Sequence, residues 1–106
     1  TRYSRVTGVQ TCGSSDLLST YMKYAALELA GKGIRCNAVQ PGRINTPLIS
    51  NRLLSEEDVT KDIEQYPMKR YGKPEEVAHA IIYLLSDASA WVTGTNLVID
   101  GGRSLK

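Results

Sequence analysis

The sequence predicts an α/β fold, in the form of part of a doubly wound parallel sheet. One strand is predicted where apolar Ile34, Cys36 and Ala38 alternate with polar residues, ahead of the pair Pro41-Gly42. A helical pattern precedes this strand, and a second apolar strand lies near the end of the chain. Because strands that are connected through helices pair in parallel and are covered on both faces, this order favours a parallel sheet.

The first 17 residues differ from the rest of the chain. They show neither helical nor strand periodicity and are rich in Thr, Ser and Gly, which indicates a polar loop leading into a helix. A sharper hypothesis makes them a non-native leader. Residues 6–12 are similar to the translation of a common short-read sequencing adapter, and residues 13–17 to its remainder after a one-base frame shift. We therefore expect residues 1–17 to be foreign to the fold and residues 18–106 to form it.

A helix is predicted from Leu18 onwards. Apolar residues recur there at positions i, i+4, i+7, i+8 and i+11, which places them on one face: Leu18, Met22, Ala25, Ala26 and Leu29. Gly31 and Gly33 end the pattern, and Lys32 suits the negative end of the helix dipole. From the sequence alone, this face is a core face.

The strand after this helix must end at Pro41-Gly42. Proline has no N–H to give to a sheet ladder, and glycine turns in conformations that other residues avoid. In an open α/β sheet, ligands bind just beyond the carboxyl ends of the strands. The backbone groups of residues 43–46 are therefore the best candidates in the chain for contact with a ligand.

Two more helices and a closing strand are predicted in the second half. Ser55 is a helix cap followed by three acids, and Pro74 suits a first helical position. The second of these helices carries a buried stripe, widened by two flanking residues: Val77, Ala80, Ile81 and Leu84, with Ile82 and Leu85. Trp91 is interpreted as a packing residue. The closing strand covers residues 96–99, and Gly101-Gly102 turns the chain after it.

Composition excludes several classes of function. The 106 residues are 42% hydrophobic and 23% charged, which is ordinary for a globular domain and not for a disordered or membrane-spanning chain. A net charge of +2 without a basic block gives no support for nucleic-acid binding. Cys12 and Cys36 are not expected to pair, which favours a reduced, cytoplasmic setting. His79 and Cys36 lack partner ligands, so no metal site is predicted, and His79 is given no role.

Residues 33–46 resemble the sixth strand of the short-chain dehydrogenase/reductase family, whose members bind NAD(H) or NADP(H). Four further stretches match that family in order and spacing: residues 26–30, 70–78, 84–87 and 93–102. The resemblance covers residues 18–106 and implies the C-terminal part of a Rossmann-type sheet. Only two strands are predicted here, and in the family they pair with strands encoded upstream, so we expect an incomplete domain.

The resemblance also assigns candidate site residues. It implies that the turn at Pro41 and Gly42 passes the nicotinamide, that the backbone near Ile44 contacts its carboxamide, and that Thr46 lies near the diphosphate or amide. It places residues 50–66, which residues 46–49 lead into, in a substrate-binding loop. The apolar residues at the start of this region are the candidates for a wall facing the substrate: Leu48, Ile49, Leu53 and Leu54. The charged residues of the region are equally compatible with an ordinary solvated surface.

The catalytic residues of the family are missing. Its Tyr-x-x-x-Lys pair would fall at positions 11 and 15, where this sequence has Thr11 and Ser15. A threonine hydroxyl cannot supply a phenol's tunable proton, and serine cannot supply the cation that lowers a phenol's pKa. The glycine-rich cofactor loop is absent too. We therefore predict no catalytic residue in this chain and expect the chain alone to be inactive.

Three functional hypotheses follow from this resemblance. In the first, the parent protein is an NAD- or NADP-dependent oxidoreductase, transferring a hydride between the nicotinamide and a small alcohol or carbonyl substrate as a homodimer or homotetramer. In the second, the protein is a non-catalytic binding or regulatory member of the family. In the third, it is a structural remnant that folds only beside other chains. The resemblance also implies that the first helix packs against a neighbouring subunit.

Overall fold

The computed structural model describes residues 3–8, 15–47 and 55–106. These residues form three strands and three main helices in the order β1 (Tyr3–Gly8), α1 (Ser15–Leu29), β2 (Ile34–Pro41), α2 (Glu56–Glu64), α3 (Pro74–Leu85) and β3 (Asn96–Ile99). Short 3-10 turns lie at Ala30–Lys32, Asp87–Ser89 and Arg103–Leu105. In the described ranges, no helix combines the length and the apolarity that crossing a membrane requires.

The three strands form one parallel sheet with β2 in the middle. Tyr3 lies opposite Ile34 on one edge of β2, and Pro41 lies opposite Ile99 on the other. The parallel α/β architecture is therefore confirmed. The expectation of a loop throughout residues 1–17 and of only two strands is wrong, because residues 3–8 pair with β2. Backbone pairing needs no alternation of side chains, so the residue pattern gave no signal of it.

Helix α1 covers one face of the sheet, as its apolar stripe predicts. Met22 and Ala26 are each 2% exposed and form the core with Cys36 and Ala38 of β2. The chain leaves this layer at Gly33, whose φ of 75° lies in the left-handed region that favours glycine. The predicted helix stop and the buried strand are both confirmed.

Polar side chains of β2 tie its other face to the segment before β3. Asn37 is fully buried, donates from Nδ2 to the Val92 carbonyl over 3.0 Å, and accepts from the Thr95 N–H over 3.0 Å. The Arg35 guanidinium donates to Ser89 Oγ and to the Val92 carbonyl. These bonds fix the path of the chain into β3. They also satisfy buried polar groups, each of which would lower the stability by roughly 1–3 kcal/mol if it had no partner.

Some apolar residues predicted to be buried are exposed. In α3, Leu84 is 1% exposed, but Ile82 and Leu85 are 62% and 50% exposed, so these two do not widen the buried stripe. Trp91 is fully exposed, which makes its interpretation as a packing residue wrong. A helix offers only one stripe to the sheet beneath it, and the described chain places nothing opposite these three side chains.

Candidate functional site

The candidate site begins where β2 ends. The strand stops at Pro41, and the Gly42 N–H donates to the Ile99 carbonyl of β3 over 2.8 Å. A Cβ atom on Gly42 would lie 2.9 Å from Asp100 Cβ and 3.3 Å from a ring carbon of Tyr66. Only glycine fits between these two neighbours without a shift of the backbone.

The backbone N–H and C=O of Ile44 point away from Gly72, the residue with which Ile44 is paired. It forms a parallel bridge with Gly72, in which the Asn45 N–H donates to the Gly72 carbonyl over 2.8 Å and the Gly72 N–H to the Arg43 carbonyl over 3.0 Å. Because those groups flank Ile44, its own N–H and C=O point the opposite way. Neither group has a partner among the described residues. Ile44 therefore offers one donor and one acceptor side by side.

A cluster of four polar side chains supports the same turn; it consists of Arg43, Asp62, Tyr66 and Tyr71. The Arg43 N–H donates to the Tyr66 hydroxyl over 3.2 Å, and the Arg43 guanidinium pairs with Asp62 of α2 over 2.5 Å. The Tyr71 hydroxyl donates to the same Asp62 oxygen, also over 2.5 Å. The rings of Tyr66 and Tyr71 meet edge to face with centroids 6.1 Å apart.

The pKa values of two members of the cluster reflect this setting. Burial raises the pKa of the Tyr71 hydroxyl, and its hydrogen bond to Asp62 raises it further, so the phenol stays protonated and donating. Burial lowers the pKa of the Arg43 guanidinium, but Asp62, Tyr71 and Tyr66 together outweigh burial and raise it overall. Both groups therefore keep their protons across the physiological range.

The turn after β3 closes the site. Burial raises the pKa of the Asp100 carboxyl, but hydrogen bonds from the Ser104 side chain and from the N–H groups of Ser104, Gly102 and Arg103 together outweigh burial and lower it overall. Gly101 and Gly102 have φ values of 60° and 87°, as the predicted glycine turn requires. A cavity of about 300 Å³ lies among the elements that meet here; it is lined by residues of the Ile44 turn, of the stretch 66–76 and of β3 with its turn.

The structure brings the predicted cofactor residues together. Pro41, Gly42, Ile44 and Thr46 all follow one another at the carboxyl end of β2, and their assignment stays a prediction. The four predicted substrate-wall residues, Leu48, Ile49, Leu53 and Leu54, lie outside the described residues, as does Thr11. Ser15 is the first residue of α1.

Sequence reasoning missed the groups that support the turn. Asp62 lies 19 positions from Arg43, and Tyr66 lies 23 positions from it. No local pattern relates residues at such separations. The only available signal was the presence of opposite charges in the turn after β2 and in the predicted substrate loop, and that signal does not single out one pair.

Glu76 fixes the start of α3 beside the cavity. Its carboxylate accepts two bonds from the Arg70 guanidinium, over 2.6 and 2.9 Å, and one from the Lys73 N–H over 2.9 Å. The bonds from Arg70 and then from Lys73 lower the pKa of Glu76 from 4.5 to about 2. The carboxylate form is therefore favoured in the folded state.

A pH dependence of stability is expected from Glu76. Because its pKa is depressed on folding, its contribution is complete above pH 4.5 and is lost as the pH falls towards about 2. Glu76→Gln should melt at a lower temperature than the wild type at pH 7, and this difference should shrink below pH 4.5. Exposed Glu75→Gln is the matched control. A gap between Glu76→Gln and wild type that is constant down to pH 2 would contradict the assignment.

The described residues form no cluster of metal-binding side chains. Within residues 3–8, 15–47 and 55–106, no three His, Cys, Asp or Glu side chains come together as metal ligands do.

Comparison with known sequences relates the chain to a group of oxidoreductases. A family model described as enoyl-(acyl carrier protein) reductase matches residues 12–104. Cyclohexanol dehydrogenase from Acinetobacter sp. (strain SE19) is 46% identical over 84 residues, which are 79% of this chain and 32% of that protein. Glucose 1-dehydrogenase 2 from Bacillus subtilis is 42% identical over 102 residues, which are 95% of this chain and 39% of that protein. The chain thus spans a third or slightly more of the length of these curated relatives.

Solved structures show the same relation in three dimensions. Ligand-free aldohexose dehydrogenase from Thermoplasma acidophilum superposes with a TM-score of 0.85 at 31% identity, covering 100% of this chain and 50% of that one. A protein of Agrobacterium tumefaciens, provisionally named a 2-deoxy-d-gluconate 3-dehydrogenase and solved with bound NADP, gives a TM-score of 0.87 at 27% identity. That match covers 97% of this chain and 47% of that one.

Proposed function

Because this chain belongs to the short-chain dehydrogenase/reductase family of oxidoreductases, we propose that a longer protein containing residues 18–106, called here the parent protein, is an NAD- or NADP-dependent oxidoreductase. It transfers a hydride between the nicotinamide and a small alcohol or carbonyl substrate. The chain alone, which lacks the Tyr-x-x-x-Lys pair and the glycine-rich loop, is inactive.

One observation carries this proposal, namely the outward-facing peptide groups of Ile44. A nicotinamide carboxamide has an NH₂ donor and a C=O acceptor on one carbon. The Ile44 N–H can donate to the carboxamide C=O and the Ile44 C=O can accept from the carboxamide NH₂, and both groups lie at the carboxyl end of β2. The residues of the turn therefore fit the cofactor that the family uses, and a bound NADP in a related structure supports the same choice.

The residues of this chain position the cofactor and the substrate and take no part in making or breaking bonds. When bound, the nicotinamide supplies or accepts the hydride, and the protein supplies orientation and electrostatics. Ile44 would hold the carboxamide through its backbone, Gly42 would let the strand end pass close to the ring, and Thr46 would offer its hydroxyl to the amide or diphosphate. Leu48, Ile49, Leu53 and Leu54 would form the apolar wall against the substrate.

The test of this function is hydride transfer by the parent protein. Purified parent protein is mixed with NADH or NADPH and a panel of ketones and aldehydes, and with the oxidised cofactors and a panel of alcohols, while the nicotinamide absorbance is followed. The proposal expects turnover with at least one pair. Cofactor binding without turnover would support the binding or regulatory hypothesis, and a folded parent protein that does neither would overturn both.

A second candidate function rests on Thr11 and Ser15. If the gene encodes them as they stand, the catalytic pair is missing and the protein is a non-catalytic binding or regulatory member. We favour the alternative, in which residues 1–17 come from a sequencing adapter and an upstream Tyr-x-x-x-Lys has been lost. Genomic DNA upstream of the Leu18 codon decides between them: Tyr-x-x-x-Lys codons would support the enzyme, and in-frame codons for Thr11 and Ser15 the binding protein.

The parent protein is further proposed to be a cytoplasmic homodimer or homotetramer. The buried, unpaired thiol of Cys36 supports a reduced compartment. Helix α1 supports association, because on the side away from its core face it exposes a stripe of large apolar side chains, each at least 69% exposed: Leu17, Tyr21, Tyr24 and Leu27. Stripes of this kind mark protein interfaces.

Substitution within the stripe is expected to split the oligomer. Leu27→Glu places a charge within the apolar stripe, and light scattering after gel filtration should show the parent protein at a lower mass than the wild type. Lys23→Glu on the same helix is the control and should leave the mass unchanged. An unchanged oligomer in Leu27→Glu would exclude this face as the interface.

A further inference from the structure

We propose that Asp62 is a positioning residue for the cofactor, holding the backbone at Ile44 in its binding orientation through Arg43. The inference rests on the function proposed above and adds to it a carboxylate outside the binding turn. Asp62 lies in α2, within residues 50–66, which the family resemblance assigns to the substrate-binding loop.

Two charge-assisted or short hydrogen bonds converge on one oxygen of Asp62. Arg43 Nη1 and the Tyr71 hydroxyl each lie 2.5 Å from Oδ2. The Asp62 side chain is 19% exposed and that of Arg43 is 39% exposed, so the pair is partly shielded from water. Shielding makes such a pair more selective in geometry than an ion pair on the open surface.

Asp62 reaches the turn by two routes that meet at Arg43. The first is direct, through the guanidinium. The second passes through Tyr71, whose ring packs edge to face on Tyr66, and the Tyr66 hydroxyl accepts the Arg43 N–H. Arg43 is the residue before Ile44, and its carbonyl closes the bridge with Gly72 that turns the Ile44 groups outward. Removing the carboxylate therefore loosens both the side chain and the peptide that set this orientation.

The other acids of α2 do not share this position. Glu57 pairs with Lys61 over 3.6 Å, but both side chains are more than 70% exposed, and a pair of that kind contributes little. The Glu64 side chain makes no hydrogen bond or ion pair within the described part of the chain. Glu64 is therefore a matched control: an acid on the same helix, two positions away, without a link to the turn.

The test is the dissociation constant of NADH and NADPH from the parent protein, measured by fluorescence titration. Asp62→Ala should weaken binding about tenfold, the effect of one lost charge-assisted contact. Asp62→Asn, which keeps hydrogen-bonding atoms without the charge, should weaken it about threefold. Glu64→Ala should bind as the wild type does. In steady-state assays KM for the cofactor should rise, while KM for the substrate stays unchanged.

Tyr71→Phe provides a second measurement if Asp62→Ala does not fold. It removes only the hydroxyl that donates to Asp62 and should weaken cofactor binding about threefold. If the wild-type parent protein binds cofactor and both Asp62→Asn and Tyr71→Phe bind it equally well, the positioning role is overturned and the proposed function stands. If the wild type binds neither NADH nor NADPH, the proposed function falls and the positioning role falls with it.

Discussion

Asn37→Ala is expected to lower the free energy of unfolding of the parent protein by about 3 kcal/mol. The Asn37 side chain is fully buried and bridges the chain ahead of β3, donating to the Val92 carbonyl and accepting from the Thr95 N–H. Alanine leaves the Thr95 N–H without that acceptor and opens a cavity beneath the sheet. The Val92 carbonyl keeps a partner in Arg35, which limits the loss.

Asn96→Ala is the matched control for this prediction. Its amide donates to Gln40 over 2.7 Å, between two half-buried side chains, so its loss leaves no buried backbone group unpaired. Urea unfolding should therefore show a cost of about 1 kcal/mol for Asn96→Ala. Equal midpoints for the two variants would mean that the Asn37 bridge does not hold β3 in place.

Gly42→Ala is expected to destabilise the parent protein by about 2 kcal/mol and to weaken cofactor binding. The added methyl group would stand 2.9 Å from Asp100 Cβ and 3.0 Å from Asp100 Cα, and backbone at that distance cannot rotate away. The turn must therefore move, and the Ile44 groups move with it.

Alanine substitutions at two other glycines, Gly72 and Gly31, serve as comparisons for Gly42→Ala. At Gly72 the added methyl group meets Ile44 Cδ1 at 2.7 Å, which is the far end of a flexible side chain, so Gly72→Ala should cost about 1 kcal/mol or less. At Gly31 nothing lies within 4 Å, so Gly31→Ala should be neutral or slightly stabilising. In thermal unfolding, Gly42→Ala should have the lowest melting temperature, Gly72→Ala an intermediate one and Gly31→Ala the highest. Gly42→Ala melting no lower than Gly31→Ala would contradict the close approach of the turn to Asp100.

Local chemistry made part of this fold predictable. The Pro41-Gly42 stop, the left-handed Gly33, and the Pro74 start of α3 follow from backbone properties of single residues. Ser55 caps α2 as predicted, accepting the Asp58 N–H over 3.1 Å. The chain encodes these features within a few positions, so a reader of the sequence can find them.

Long-range partners were beyond the reach of the sequence. The bonds from Arg35 and Asn37 span more than 50 positions, and nothing near either residue indicates where the partner carbonyl lies. The pairing of residues 3–8 with β2 depends on the backbone, which carries no residue pattern. Exposure of Ile82 and Trp91 depends on what stands opposite each side chain, and helical periodicity alone does not supply that.

In the candidate site, too, local features could be predicted from the sequence and contacts between distant residues could not. The turn at residues 42–46 could be located, because a strand end in a parallel sheet is a ligand position whatever its sequence. Its support by Tyr66, Asp62 and Tyr71 could not, because those groups come from α2 and the connector after it, far from the turn in the sequence. The position of the turn is therefore encoded by residues next to it in the sequence, and its support is encoded by residues far from it.

Amide hydrogen exchange at Ile44 of the parent protein is the most direct test of the central claim. The proposed function requires the Ile44 N–H, which has no partner among the described residues, to become hydrogen-bonded when the cofactor binds. We expect its exchange to slow strongly on addition of NADH or NADPH, while the Asn45 N–H, already bonded to Gly72, changes little. Exchange at Ile44 that is unchanged at saturating cofactor would contradict the claim that this turn binds the nicotinamide.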